Sequence, residues 1–93
     1  MKFYNIYGVT DCPSCLHAQA LCMRAGVEYQ WIMMDWSAEA RSVVKETFNW
    51  KTYPVITKSS FVNGEYVETL IGGYDELSKI LIVSDKEIDW EMT

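Results

Sequence analysis

Cys12-Pro13-Ser14-Cys15 comes directly after a short apolar strand and opens a helix, and this junction constrains the fold more than any other feature of the chain. Phe3 to Tyr7 carries β-formers and ends at Gly8, and Val9-Thr10-Asp11 forms the link to the helix. Pro13 suits the first helical position, where its missing N–H costs nothing, so Cys12 is the expected N-cap. A sulfur there sits among unpaired N–H groups at the positive end of the helix dipole, which favours the thiolate. Cys15 lies one turn further on, close enough to close a disulfide with it. The pair reads as a reversible dithiol/disulfide switch, with Cys12 as nucleophile and Cys15 as resolving thiol. The competing use of such a pair is half of a zinc site, which needs two more ligands. His17 and Cys22 are the only candidates, and Cys22 is nearly two turns beyond Cys15, so no metal is expected.

Size and composition narrow the function classes. A chain of 93 residues implies one domain, 1–93, with a core over about 3–82 and an acidic tail over 84–93. An apolar content of 49% excludes a disordered chain. No apolar run approaches the ~20 residues of a membrane span. Met1 to Tyr7 has no long apolar stretch and no small-residue cleavage site, so a cytoplasmic location is expected. Three cysteines, two of them close together, do not resemble a secreted disulfide framework. A net charge of −5 argues against a nucleic-acid partner.

Further along, the helix is expected to run to about Ala25, with Leu16, Ala20 and Leu21 on its apolar side and Gly26 as its stop. Val27 to Met34 reads as a second strand. Ser37 can cap a second helix whose apolar stripe is Ala40, Val43, Val44 and Phe48. Val55 to Val62 and Glu65 to Ile71 read as strands joined by an Asn63-Gly64 type I′ turn, in a hairpin whose far end projects. Gly72-Gly73 breaks the last strand, and Asp75 can cap a third helix with core face Leu77, Ile80 and Leu81. Cys22 is expected in the core and His17 at the surface, with Trp50 the one tryptophan near the dithiol. The order β-α-β-α-β-β-α makes an α/β fold: a parallel pair from the βαβ unit, extended by an antiparallel hairpin into a four-stranded mixed sheet flanked by three helices.

This order, Cys12-Pro13-Ser14-Cys15, Thr52-Tyr53-Pro54 and Gly72-Gly73-Tyr74-Asp75-Glu76-Leu77 together resemble the glutaredoxins of the thioredoxin-like superfamily, above all the small bacterial and bacteriophage members. The resemblance covers about Phe3 to Ile82. It implies a dithiol–disulfide oxidoreductase with no tightly bound cofactor, with glutathione as reducing co-substrate. Its targets would be protein disulfides and glutathione mixed disulfides, those of ribonucleotide reductase among them. It further implies a cis Pro54 facing the dithiol and Tyr53 offering its backbone to an extended ligand. The helix start at Gly73, Tyr74, Asp75 and Glu76 would receive the γ-glutamyl carboxylate, with Asp75 on the ammonium or capping the helix. Thr52 belongs to the same glutathione-binding segment, and Lys51 is the cation left for the glycine carboxylate. A monomer is expected.

The chain departs from the family pattern at three places. Asp11 stands where many members have Lys or Arg, and its charge opposes ionisation of Cys12. Ser14 replaces a tyrosine and opens the site, and Trp50 occupies a usually polar position. The weak basic complement leaves a second reading, a redoxin reduced by thioredoxin reductase. A third is an iron–sulfur cluster carrier using Cys12 and glutathione across a dimer, which Pro13 disfavours by restricting the backbone.

Overall fold

Alternation along the first strand builds the centre of the molecule. In β1 (Lys2–Gly8), Tyr4 and Ile6 are buried on one face while Asn5 and Tyr7 point to the other. The computed structural model describes residues 2–81. After β1 come α1 (Pro13–Ala25), β2 (Tyr29–Met33), α2 (Ala38–Phe48), β3 (Val55–Val62) and β4 (Glu65–Gly72), and helix α3 (74–81) follows. The expected tail over 84–93, with Trp90, lies outside the described residues. β2 starts at Tyr29 rather than at Val27.

The sheet order is β2-β1-β3-β4. β1 runs parallel to β2, with Tyr4 opposite Tyr29, and antiparallel to β3, with Ile6 opposite Ile56. The hairpin turn has positive φ at both Asn63 (51°) and Gly64 (84°), as a type I′ turn requires. Its outer residues Phe61, Val62, Tyr66 and Val67 are all exposed, so the far end projects. These elements make the thioredoxin-like arrangement, a four-stranded mixed sheet with three helices.

One face of the sheet carries the core: Tyr4, Ile6 and Ile56 from the strands meet Ala18, Leu21 and Cys22 of α1 and Leu77 and Leu81 of α3. The buried side of α1 is therefore Cys15, Ala18, Leu21 and Cys22, not the expected Leu16 and Ala20. Cys12 at the N-cap turns Cys15 inward, and a period of ~3.6 residues then carries Ala18 and Cys22 in with it. Leu16, ~100° away, is left 64% exposed.

The opposite face is polar at its centre. Asn5 Nδ2 donates to Thr57 Oγ1 (3.0 Å) and Ser59 Oγ (2.9 Å), and Gln30 Nε2 donates to Asn5 Oδ1 (2.8 Å). Thr57 and Tyr7 hydroxyls both reach Glu68 Oε2, at 2.5 and 2.7 Å. Burial and the Glu68 carboxylate push the Tyr7 phenol up. α2 meets this face through Phe48, which packs on the Tyr7 ring (6.1 Å between centroids). The expected stripe on α2 is therefore only partly covered: Ala40, Val44 and Phe48 are half-buried and Val43 is exposed. A sheet face committed to hydrogen bonds offers little apolar surface for a helix to bury.

At the end of β4 the pairing slips, so that Ile56 opposes Gly72 while Thr57 opposes Leu70. The extra residue re-aims the chain end, as bulges do. Gly72 follows with φ 132°, and a Cβ there would stand 2.7 Å from Glu76 Cγ, so only glycine fits this turn. α3 then begins at Tyr74, which makes Gly73, not Asp75, the cap. The Leu77 N–H bonds the Gly73 carbonyl (3.1 Å), and Glu76 Oε1 accepts the Gly73 N–H (2.9 Å). The glutamate thus does the capping expected of the aspartate, because it occupies the third helical position, from which a carboxylate can reach back.

Candidate active site

The site is assembled where three chain segments converge. At the first, Cys12 caps α1 in extended conformation (φ −132°, ψ 95°) with Pro13 next in line. The Cys15 N–H donates to Cys12 Sγ at 3.1 Å. The two sulfurs are joined in a disulfide with their Cα atoms 5.2 Å apart. Cys15 is fully buried, whereas Cys12 keeps an accessible edge. An incoming thiolate can therefore reach Cys12 and not Cys15. The N–H aimed at Cys12 Sγ, with the helix dipole behind it, favours negative charge on that sulfur once the bond is reduced.

Behind the pair, Gly8 makes a close approach possible. A Cβ on Gly8 would lie 2.5 Å from the Trp31 ring and 2.9 Å from Cys15 Sγ. Trp31 therefore packs beside the buried sulfur, so Trp50 is not the only tryptophan near the dithiol. Neither the role of Gly8 nor that of Trp31 was legible in the sequence, since the two meet across the β1–β2 pair.

The loop before Cys12 is pinned from below. The Thr10 N–H donates to both carboxylate oxygens of Asp35 (3.0 and 3.2 Å), and its hydroxyl bonds the same carboxylate. These bonds, with the Arg41 charge, hold the Asp35 carboxyl below the usual carboxylate range. Arg41 Nη1 donates to the carbonyls of Met34 (2.9 Å) and Asp35 (3.0 Å), and the Tyr53 hydroxyl reaches the Arg41 carbonyl (3.4 Å). Lys45 Nζ lies over the Tyr53 ring, 4.8 Å from its centroid. A continuous chain of contacts thus links the loop ahead of the cysteines to the second segment. Sequence reading missed Asp35, Arg41 and Lys45.

That second segment is Trp50 to Pro54. Asn49 ends α2 in the left-handed conformation (φ 52°), its N–H bonded to the carbonyls of Glu46 and Lys45. An asparagine after an apolar-periodic stretch is a legible stop, and it directs Trp50 into the site. The Tyr53–Pro54 peptide is cis, and Pro54 is buried. The third segment is the Gly72–Gly73 turn and the first turn of α3.

Between them lies a cleft of about 230 Å³ lined by Ser14, Trp50, Thr52, Tyr53, Pro54, Gly73, Tyr74, Asp75 and Glu76. Pockets that enclose a small-molecule ligand run to ~300–1,000 Å³, so this one has room for only part of such a ligand. Every expected binding residue lines it except Lys51, which is exposed and not among the lining residues. Among the described residues the lining holds two carboxylates and no Lys or Arg. Hydrogen bonds from the Gly73 and Glu76 N–H groups keep the Glu76 carboxyl below its usual range. His17 is exposed, its ring 5.7 Å from that of Tyr74 at the cleft edge. Cys22 is buried under α1, and burial pushes its thiol up to about 11.

A disulfide at a helix N-terminus on this sheet, in a chain with a cis Tyr53–Pro54 peptide, defines a thioredoxin-like thiol–disulfide oxidoreductase. The glutaredoxin family model matches residues 5–67. A probable glutaredoxin of Synechocystis is 36% identical over 74 residues, covering 78% of this chain and 75% of its own length. The chain belongs to the glutaredoxin family. Among solved structures, Francisella tularensis glutaredoxin 1, complexed with cacodylate, superposes with a TM-score of 0.63 at 23% identity, covering 96% of this chain and 99% of that one. A buckwheat glutaredoxin–glutathione complex gives 0.58 at 20% identity, covering 88% and 78%. At these identities the two structures speak for the fold.

Proposed function

We propose that this glutaredoxin is reduced by glutathione, and that it reduces protein disulfides and glutathione mixed disulfides through Cys12. The observation that carries this reading is the asymmetry of the pair, an accessible Cys12 at the helix end against a fully buried Cys15. In the dithiol form the Cys12 thiolate attacks one sulfur of a substrate disulfide, and the other sulfur leaves as thiolate and takes up a proton. With a protein substrate, the Cys15 thiolate then attacks Cys12 Sγ. This closes the Cys12–Cys15 disulfide and releases the substrate as a dithiol. Two glutathione molecules return the enzyme to its dithiol: the first opens the bond at Cys12, and the second displaces the first as glutathione disulfide. With a glutathione mixed disulfide, Cys12 carries the glutathionyl group and a second glutathione removes it, so Cys15 is not needed.

The cleft supports the reading. Tyr53, beside the cis Pro54, can hold an extended cysteinyl peptide through its backbone. The first turn of α3 at Tyr74 and Asp75 offers N–H donors to a carboxylate beside Gly73, whose own N–H is held by Glu76, and Thr52 and Glu76 complete the walls. We take the protein to work as a single-domain monomer in the cytoplasm, with disulfides such as those of ribonucleotide reductase among its targets.

A second reading has one observation in its favour. Among the described residues the cleft lining carries Asp75 and Glu76 but no Lys or Arg, an unusual complement for a tripeptide with two carboxylates. On that reading thioredoxin reductase supplies the electrons. The test is turnover of a mixed-disulfide substrate with glutathione plus glutathione reductase, and separately with thioredoxin reductase. Turnover with the glutathione couple is expected, and turnover only with thioredoxin reductase would replace the first reading by the second.

A further inference from the structure

The β3–β4 hairpin continues past the end of α3 on the face that carries the core. Ile56 is buried on that face, and a period of two residues puts Lys58, Ser60 and Val62 of β3 on the same side. On β4, Thr69 pairs with Lys58 and Val67 with Ser60, so both share it. With Ile71 these residues line an open groove of about 420 Å³. Its valines are half-exposed, Val62 at 49% and Val67 at 47%. Leu81, the last described residue of α3, belongs to the core cluster with Tyr4, and Tyr4 pairs with Lys58 of the groove. The helix therefore stops covering the sheet where the groove begins.

We propose that this groove is the docking site of the chain's own segment 82–93. The segment leaves α3 at the groove. From Lys58 to Val62 the groove runs ~14 Å along β3, and a segment of that length reaches up to ~40 Å when extended. The side chains match. Ile82, Val83, Ile88, Trp90 and Met92 bring apolar surface to Val62, Val67 and Ile71. Asp85, Glu87, Asp89 and Glu91 outnumber Lys86, and the face they meet carries two lysines: Lys58 in the groove, and Lys2, which pairs with Ser60. Glu65, opposite Val62 at the turn, lies on the same face and pushes the acids back toward those lysines. Docking withdraws from water an apolar patch beside the sheet edge formed by β4, where exposed surface invites association. The proposal goes beyond the glutathione reading and does not depend on it.

The experiment is nuclear magnetic resonance on the full chain in its disulfide form. Nuclear Overhauser contacts are expected between apolar side chains of 82–93 and the methyls of Val62, Val67 and Ile71, unchanged on dilution. Amide exchange over 82–93 should be about ten-fold slower than in a free peptide of the same sequence. Val67→Glu puts an acid into the groove at an exposed position and should return that exchange to the peptide rate. Lys58→Glu should raise it part of the way, and Lys58→Arg should leave it as in wild type. Exchange at the peptide rate in wild type, or exchange indifferent to Val67→Glu, would overturn the proposal. So would contacts seen only between differently labelled copies in a mixed sample, which would make a second copy the occupant. Should Val67→Glu not fold, Trp90→Ala decides the question: it should shift the Val62 and Val67 methyl resonances, and resonances that stay still would overturn the assignment.

Discussion

Glu76 Oε1 accepts the Gly73 N–H at 2.9 Å, closing a helix cap in which the cap residue has no side chain of its own. The bond fixes the turn out of β4 and with it the wall of the cleft opposite Pro54. Glu76→Ala should lower stability by about 0.5–1.5 kcal/mol at neutral pH. Its carboxyl is held below the ordinary 4.5, so the ionised form is the one that stabilises the fold. That contribution is complete above the unfolded value and fades as pH falls through the lower native one. Urea midpoints measured down to acid pH should show the gap between wild type and variant closing; a gap independent of pH would contradict the cap.

Asp35 holds the loop ahead of Cys12 through three bonds to Thr10. Asp35→Ala should speed amide exchange at Thr10 and lower kcat/KM several-fold, because the loop that presents Cys12 loses its anchor. The Asp35 carboxyl is also held below the ordinary range, so the same loosening should appear in wild type on acidification. Unchanged exchange at Thr10 in the variant would remove the anchor from the account.

Gly8→Ala should be disproportionately damaging for so small a change. The added methyl would meet Trp31 at 2.5 Å and Cys15 Sγ at 2.9 Å, both packed side chains. Overpacking of this kind costs about 1–3 kcal/mol. A thermal midpoint equal to wild type would mean that the indole is free to move aside.

Much of this was legible in the sequence because it is local. Cys12 as cap with Pro13 behind it, Gly26 and Ser37 at helix ends, and the Asn63-Gly64 turn depend on neighbours within a few residues, and all stand as read. The dithiol is legible from its spacing at a helix start, whereas the roles of Pro54 and the Gly73 turn came through motif resemblance. What escaped was long-range. The inward side of α1 is set by which residues face the strands, and Leu16 is out because Cys15 is in. The polar face of Asn5, Thr57 and Glu68 joins three strands that no sequence window contains. Asp75 was a reasonable cap by residue type. The bulge before Gly72 moved the helix start one residue beyond Gly73, and that gave the task to Glu76.

Cys22 should behave as an inert core residue in the native state. Burial raises its thiol from an ordinary 9.0 to about 11. In the reduced native protein at pH 8, a thiol reagent should label Cys12 readily and leave Cys22 unmodified until the protein unfolds. A raised thiol also means that the native state holds its proton more tightly. The stability this provides is complete below the unfolded value and is lost as pH climbs towards about 11. Labelling of Cys22 at the rate of an exposed thiol would contradict its place in the core.

The account turns on Cys12 being the sulfur that exchanges with glutathione. Cys15→Ser leaves that sulfur without its intramolecular partner, so oxidised glutathione offered to the variant should trap the intermediate. Intact-mass and peptide mapping should find one glutathionyl group, on Cys12, removed by added glutathione, and none when Cys12→Ser is combined with it. A glutathionyl group on Cys22, or no adduct at all, would contradict the assignment.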